Sequence, residues 1–201
     1  MNEEDLYSLM LKMETYKYIT SDENEFSKTY NFTIQICNED LERDIGSMQI
    51  MLFRNDVADF WDILDEESST AKYVEIFNKD GSLKKSSILN KSDLVDIQML
   101  SRVLFINSIA LEEKYRGNKI FPSILKQAFS LLNIDFLETP IFLTAFPVQH
   151  EGKGDALKNK QFKIDESSLI SYYESIGFVR AFKKKSYMYT NSLWDMWDIK
   201  K

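Results

Sequence analysis

The pattern of apolar and polar positions is clearest in the second half of the chain. Residues 103–111, VLFINSIAL, are mostly apolar; the turn Lys114-Tyr115-Arg116-Gly117-Asn118-Lys119 follows, and then an apolar-periodic run starting at about Pro122. This pattern predicts a buried strand over 103–111, a tight turn and a helix over 122–132. Residues 141–146, IFLTAF, predict a second buried strand of an α/β sheet, stopped by Pro147. Asp165 or Ser167 can cap a further helix ending near Ile176, with Gly177 as its C-terminal turn. Phe178–Phe182 and Ser186–Thr190 then read as a closing hairpin around Lys183-Lys184-Lys185.

The first half is patterned less sharply. Leu6, Leu9, Met10, Met13 and Tyr16 recur at helical spacing behind acidic residues, which predicts an amphipathic helix over 2–18. Residues 31–36 alternate as a strand does, 38–43 read as a turn or a single helical turn, and 47–54 read as a second strand. Asp56 can cap a helix reaching about Asp65, with Val57, Phe60, Trp61 and Leu64 on one face. Ser69 or Thr70 can cap another, holding Tyr73, Val74 and Phe77 and ending at Asp80-Gly81. Residues 82–98 show no preference. Residues 148–165 are polar and contain Gly152 and Gly154; structureless loops longer than about 12–15 residues tend to be functional, so this one is a candidate substrate lid.

Composition narrows the class. A chain of 201 residues with 44% hydrophobic content supports one folded domain with a real core. It has no apolar run of about 18 residues and no basic-then-apolar leader, so no membrane span is expected and a cytoplasmic location is. One cysteine, Cys37, cannot form an internal disulfide, and with one histidine, His150, the chain cannot supply a Cys/His zinc set; no metal is expected. Cys37 itself reads as a small buried hydrophobe. A net charge of −7 excludes nucleic-acid binding through a chain-wide positive field. The one dense basic run, Lys183-Lys184-Lys185, reads as a solvated turn or strand edge.

A strand that passes through a glycine turn into a helix leaves several backbone N–H groups unpaired at the positive end of the helix dipole, which is an anion cradle. It is equally the ordinary βα connection of an α/β protein.

Two segments together resemble one family. Tyr115-Arg116-Gly117-Asn118-Lys119-Ile120, after Ile109-Ala110-Leu111, resembles the acetyl-CoA pyrophosphate loop of the GNAT N-acetyltransferase superfamily. Ser171-Tyr172-Tyr173-Glu174-Ser175-Ile176-Gly177-Phe178 resembles its C-terminal F-Y-x-x-x-G-F signature. The resemblance covers residues 103–190 and is loose over 1–100, where two strands precede two helices instead of enclosing them. The family loop runs [RQ]-x-x-G-x-[GA]; counted from Arg116, this chain has Lys119 and Phe121 at the glycine positions.

The resemblance implies a single GNAT-like acyl-CoA N-acyltransferase domain of α/β (α+β) class. Its central mixed, twisted sheet would be flanked by helices, splayed where CoA enters and closed by a C-terminal hairpin. It implies acetyl-CoA as cosubstrate and direct attack of an amine on the thioester. The backbone of Arg116, Gly117, Asn118, Lys119, Ile120 and Phe121 would hold the diphosphate, assisted by the Arg116 and Lys119 side chains. Main-chain groups of Ile109, Ala110 and Leu111 would serve the pantetheine arm and the oxyanion, and Tyr173 would be the acid for the leaving thiolate, with Tyr172 as substitute. A base is left open among His150, Glu151, Glu112, Glu113 and solvent; Asn107 and Ser108, the polar residues of the strand before the loop, are not bases at neutral pH. Acidic residues such as Asp59, Asp62 and Glu151 suit a small amine or a lysine-bearing acceptor. No nucleic acid or membrane partner is expected, and a homodimer is compatible with the sequence. Two other classes stay open: a GNAT-like binding module without catalysis, and an acidic protein that engages a basic partner.

Overall fold

Strand β1, Leu9–Tyr18, begins where the sequence pattern points to a helix. Leu9, Met13 and Tyr16 fit helical spacing, but Leu9 and Leu11 also alternate with Met10 and Lys12, and in the structure the first pair is buried while the second is exposed. Pairing decides between these two readings: β1 runs antiparallel to β2, Ser27–Asn38, with Leu9 opposite Ile36 and Leu11 opposite Ile34. The computed structural model describes residues 9–18, 27–38, 41–54, 62, 64, 65, 71–79, 84, 102–134, 139–150, 160–182 and 186–190. The lysine run 183–185, most of the helix expected over 56–65 and nearly all of 82–98 lie outside them.

Strand β3, Leu41–Arg54, absorbs both the expected turn at 38–43 and the expected strand at 47–54. It pairs with β2 from Asn38 opposite Leu41, and its residues 41–46 extend the ladder because β2 offers an edge for them. At Gly46 a β-carbon would lie 2.2 Å from the Ala110 carbonyl oxygen, so only glycine lets β3 approach β4 there. Asp62, Leu64 and Asp65 are helical. The helix expected around Tyr73 is a short 3₁₀ turn, Ala71–Tyr73, and Tyr73, Ile76 and Phe77 are buried.

The second half follows its local pattern closely: β4, Arg102–Leu111; α1, Phe121–Leu132; β5, Ile141–Thr144; α2, Lys160–Ser175; β6, Val179–Arg180; and β7, Tyr187–Thr190. Pro122 stands in the first turn of α1, where its missing N–H costs nothing. Asn133, left-handed at φ 50°, ends the helix with N–H bonds from Asn133 and Ile134 back to Ser130 and Phe129. Helix α2 starts earlier than a cap at Asp165 or Ser167 would place it. Asp165 is inside the helix, and its side chain is engaged elsewhere.

The seven strands form one mixed sheet in the order β1-β2-β3-β4-β5-β7-β6. All neighbours are antiparallel except β4 and β5, which α1 connects in parallel. Helices α1 and α2 cover one face, over Phe32, Ile34, Ile50, Leu104, Leu143 and Met188. Leu64, Tyr73, Ile76 and Phe77 cover the other face over β4, β5 and β7, against Phe53, Phe105, Phe142 and Tyr189. The outer edge of β1 is blunted locally. The Gln127 side-chain oxygen on α1 accepts the Leu11 N–H at 2.8 Å, and its amide nitrogen donates to the Leu9 carbonyl at 2.8 Å, as a neighbouring strand would. No helix of the described residues is long and apolar enough to cross a membrane.

Candidate functional site

Strands β4 and β5 pair over only three positions, Leu104 to Ile106 against Ile141 to Leu143. Beyond them β4 continues to Leu111 alongside β3, while β5 turns off at Ala145 to Pro147. A bulge helps re-aim β4: Gln49 faces Ser108 and Ile50 faces Ile106, leaving Asn107 as the extra residue. The two strands therefore diverge, and a cavity of about 670 Å³ occupies the wedge. Its walls draw on both faces of the sheet: Ile109, Tyr172 and Tyr173 on the helix side, Lys72 and Asn107 on the other.

One end of the cavity is the turn from Arg116 to Phe121, all six residues of which line it. Gly117 has φ 77° and Lys119 φ 54°, while Ile120 returns to the right-handed region at φ −78°. A left-handed residue followed by a right-handed one turns successive N–H groups to the same side, forming an anion-binding concavity. Of the expected donors, the Arg116 N–H is taken by the Glu113 carbonyl at 3.1 Å, and the Phe121 N–H faces the Tyr172 hydroxyl. The Arg116 side chain folds back, Nε donating to the Leu111 carbonyl at 2.8 Å, and ties the turn to the strand end. Asn118 Nδ2 donates to the Lys114 carbonyl at 3.2 Å. At Gly117 a β-carbon would meet nothing within 4 Å, so its glycine serves the backbone angle and not space.

Lys119 occupies, at a glycine position of the family loop, the left-handed conformation that favours glycine. A side chain there costs about 1 kcal/mol. Lys119→Gly is therefore expected to raise unfolding stability by about 1 kcal/mol in a urea titration; a neutral or lower value would show that the left-handed angle carries no such cost. Phe121, at the other glycine position, turns into the core, edge-on to Tyr173 at 5.4 Å between ring centres.

Of the strand-end residues, Ile109 and Leu111 line the cavity; Ala110 does not and pairs with Ser47. Past Ile106 the free side of β4 presents its backbone groups to the cavity instead of to a strand. Tyr173 is held near the C-terminus of α2. Its carbonyl accepts the Phe178 N–H at 3.0 Å across the left-handed Gly177, and its ring packs on Phe121, Phe178 and Tyr172. Burial, with smaller repulsions from Tyr172 and Tyr73, pushes its phenol well above the ordinary tyrosine range. Burial likewise pushes Tyr172 up to about 12, against a lowering contact from the Phe121 amide.

His150 is buried at the end of a 3₁₀ turn, Val148–His150, and does not line the cavity. Its Nε2 lies 2.7 Å from Asp165 Oδ2, and its ring meets Phe162 edge-on at 5.5 Å. Asp165 is the partner at the cavity wall; the hydrogen bond with His150 foremost, then one from Gln161, holds its carboxyl below the usual range. The pair ties the start of the expected lid to α2; residues 151–159 lie outside the described residues, Glu151 among them. Glu112 is exposed and forms an ion pair with Arg43 at 2.9 Å, and Glu113 is exposed. Cys37 is a free, half-buried thiol on β2. No cluster of three metal-binding side chains occurs among the described residues.

The sequence pattern misses one feature altogether. Asn31, Gln49 and Asn107, on three neighbouring strands, join Lys72 in a chain of hydrogen bonds along the sheet face opposite α1 and α2. The signal for it is weak but present: Asn107 interrupts an apolar strand. No protein-family model matches the chain, and no curated protein sequence matches it.

Proposed function

We propose that the protein is an acyl-CoA N-acyltransferase of the GNAT kind, moving an acetyl group from acetyl-CoA to a primary amine. The carrying observation is the wedge between β4 and β5, with a concave N–H turn at one end and Tyr173 on its wall. The Tyr115–Ile120 and Tyr172–Phe178 resemblances add support, since the two matching segments meet at this one cavity. The N-terminal half departs from the family pattern, because β1, β2 and β3 follow one another as a meander in the sheet and the described helical residues come after β3.

The turn holds the diphosphate through N–H groups from Gly117 to Ile120, with Lys119 adding a charge-assisted contact that offsets its imperfect fit. The pantetheine arm runs along the free side of β4 at Ile109 and Leu111, whose backbone polarises the thioester carbonyl. The amine nitrogen attacks that carbonyl carbon, the C–S bond breaks as the amide forms, and the amine proton leaves to solvent. Tyr173, kept protonated by burial, donates a hydrogen bond to sulfur as negative charge develops there. A phenol raised above its ordinary value holds its proton more tightly than a thiol does, so it acts as a donor to the thiolate and not by yielding its proton outright. His150 has no route to the amine from its place behind Asp165, and no base is assigned.

Acetyl-CoA is expected to raise the melting midpoint; at one hundred times its Kd the stabilisation is about 2.7 kcal/mol. No shift at millimolar acetyl-CoA would sink the proposal. Lys119 and Phe121 at the loop's glycine positions favour a second reading, a CoA-binding module of the same fold without catalysis. That module would show the same thermal shift and no transfer.

A further inference from the structure

The last pair between β4 and β5 is Ile106 with Leu143, so the next residue on each strand, Asn107 on β4 and Thr144 on β5, stands at the apex of the wedge. Side chains alternate between faces along a strand. Ile106 and Leu143 belong to the core under α1 and α2, and Asn107 and Thr144 face the other side, where both line the cavity. Each is a polar residue directly after an apolar run, Val103 to Ile106 on β4 and Ile141 to Leu143 on β5.

One short element grips both. Lys72 Nζ donates to Asn107 Oδ1 at 3.4 Å, and the hydroxyl of the adjacent Tyr73 accepts from Thr144 Oγ1 at 3.4 Å. The 3₁₀ turn Ala71–Tyr73 therefore spans the gap on the far face of the sheet, one residue to each strand. Tyr73 is itself fixed: it is fully buried, with its ring centre 4.5 Å from that of Phe105 and 5.9 Å from that of Tyr187. Behind Asn107, its Nδ2 donates to Gln49 Oε1 at 2.5 Å, and Gln49 Nε2 donates to Asn31 Oδ1 at 2.8 Å. A lysine only donates, so the chain has one sense and the Asn107 oxygen is the atom on the Lys72 side.

That sense decides what the apex offers. The one hydroxyl proton of Thr144 is directed at Tyr73, and the Asn107 nitrogen is turned to Gln49. What remains is oxygen lone pairs: an amide oxygen accepts twice and Lys72 takes one place, while a hydroxyl oxygen also accepts twice. Two acceptor oxygens on opposite lips of one gap match a nitrogen that carries at least two N–H donors. A primary amine is such a group, and with both N–H bonds held its lone pair is left to face the thioester carbon.

We propose that Asn107 Oδ1 and Thr144 Oγ1 hold the two N–H groups of the acceptor amine, and that Lys72 and Tyr73 are positioning residues that set these oxygens across the apex. This rests on the transferase reading and adds to it the acceptor contacts on the far face of the sheet.

Amine binding tests the idea without requiring turnover. The CoA-bound protein is titrated with a panel of small primary amines, aliphatic, aromatic and amino-amide, and with the N,N-dimethyl form of each, by calorimetry and by melting midpoint. A dimethyl form has at most one N–H and cannot serve both oxygens, so at least one primary amine should bind about tenfold or more tighter than its dimethyl form. Thr144→Val should cut that ratio to about twofold or less, and Thr144→Ser should keep most of it. Tyr73→Phe, which releases the Thr144 hydroxyl to rotate, should lower the ratio while leaving the Kd for CoA within about twofold. Equal binding of primary and dimethyl amines, binding of no amine, or a preference that survives Thr144→Val, and so is steric, would overturn the assignment. Thr144→Val alone strands the buried Tyr73 hydroxyl; made together with Tyr73→Phe it removes both partners at once, a change nearly neutral for stability, so the test stands where the single variant fails to fold. Failure of CoA itself to bind removes the transferase reading first, and this proposal with it, so the two failures are told apart.

Discussion

Tyr173→Phe is expected to lower kcat for acetyl transfer by about 10²- to 10³-fold while changing the Kd for CoA by less than about twofold. The substitution removes one hydroxyl and keeps the ring, which packs on Phe121 at 5.4 Å and Phe178 at 5.6 Å, so the fold and the CoA path should persist. What it removes is a donor that matters little to bound thioester and much to a departing thiolate. An interaction realised only in the transition state shows in kcat and not in binding. The measurement is steady-state transfer to the best acceptor of a primary-amine panel, with CoA affinity from calorimetry. A kcat within threefold of the parent would remove Tyr173 from the chemistry. Catalysis absent from both proteins, with CoA bound by both, would favour the binding module.

The largest stability effect is expected at Phe105. This fully buried residue of β4 has Phe53, Tyr73, Phe77 and Phe142 around it, with ring centres at 5.4, 4.5, 6.2 and 5.6 Å. Phe105→Ala should cost about 3–5 kcal/mol, because four fixed rings cannot close over the space left behind. For a domain of this size that corresponds to a fall in melting midpoint of roughly 6–20 °C. Thermal and urea unfolding check it, and a loss below about 1 kcal/mol would mean the cluster is not packed as described. Phe105 pairs with Met51 on β3 and Phe142 on β5, one residue before the last β4–β5 pair. Its loss should therefore also loosen the apex of the wedge and weaken CoA binding in any fraction that still folds.

The residues that could be read locally are those whose neighbours in sequence decide their structure. Val103 to Leu132 specifies strand, turn and helix within thirty residues or so, because the apolar run, Gly117 and Pro122 each act on the backbone beside them. Gly177 works the same way at the end of α2 and places Tyr173 against α1 through a local carbonyl bond. At the other extreme, Leu9 to Tyr16 satisfies two periods at once, and only the β2 edge selects the strand. Ala71–Tyr73 needs just a short 3₁₀ turn to bury Tyr73, with Ile76 and Phe77 buried after it, a length that periodicity does not specify.

The site divides along the same line. Arg116 to Phe121 and Tyr173 stand out in the sequence because turn chemistry and a short motif are local properties. That His150 belongs with Asp165, fifteen residues away behind the cavity wall, follows from how the Val148–His150 turn packs on α2. Lys72 and Asn107 are separated by thirty-five residues and belong to different elements, so no periodicity links them. The sequence by itself determined the strand–turn–helix, the closing hairpin and the mixed α/β class. Tertiary structure alone decided that β4 and β5 part after three pairs, that the wedge opens to both faces of the sheet, and that a lysine stands at its far end. Those outcomes depend on the bulge at Asn107 and on contacts between distant segments, where the energy of packing, and not the preference of any one residue, chooses the geometry.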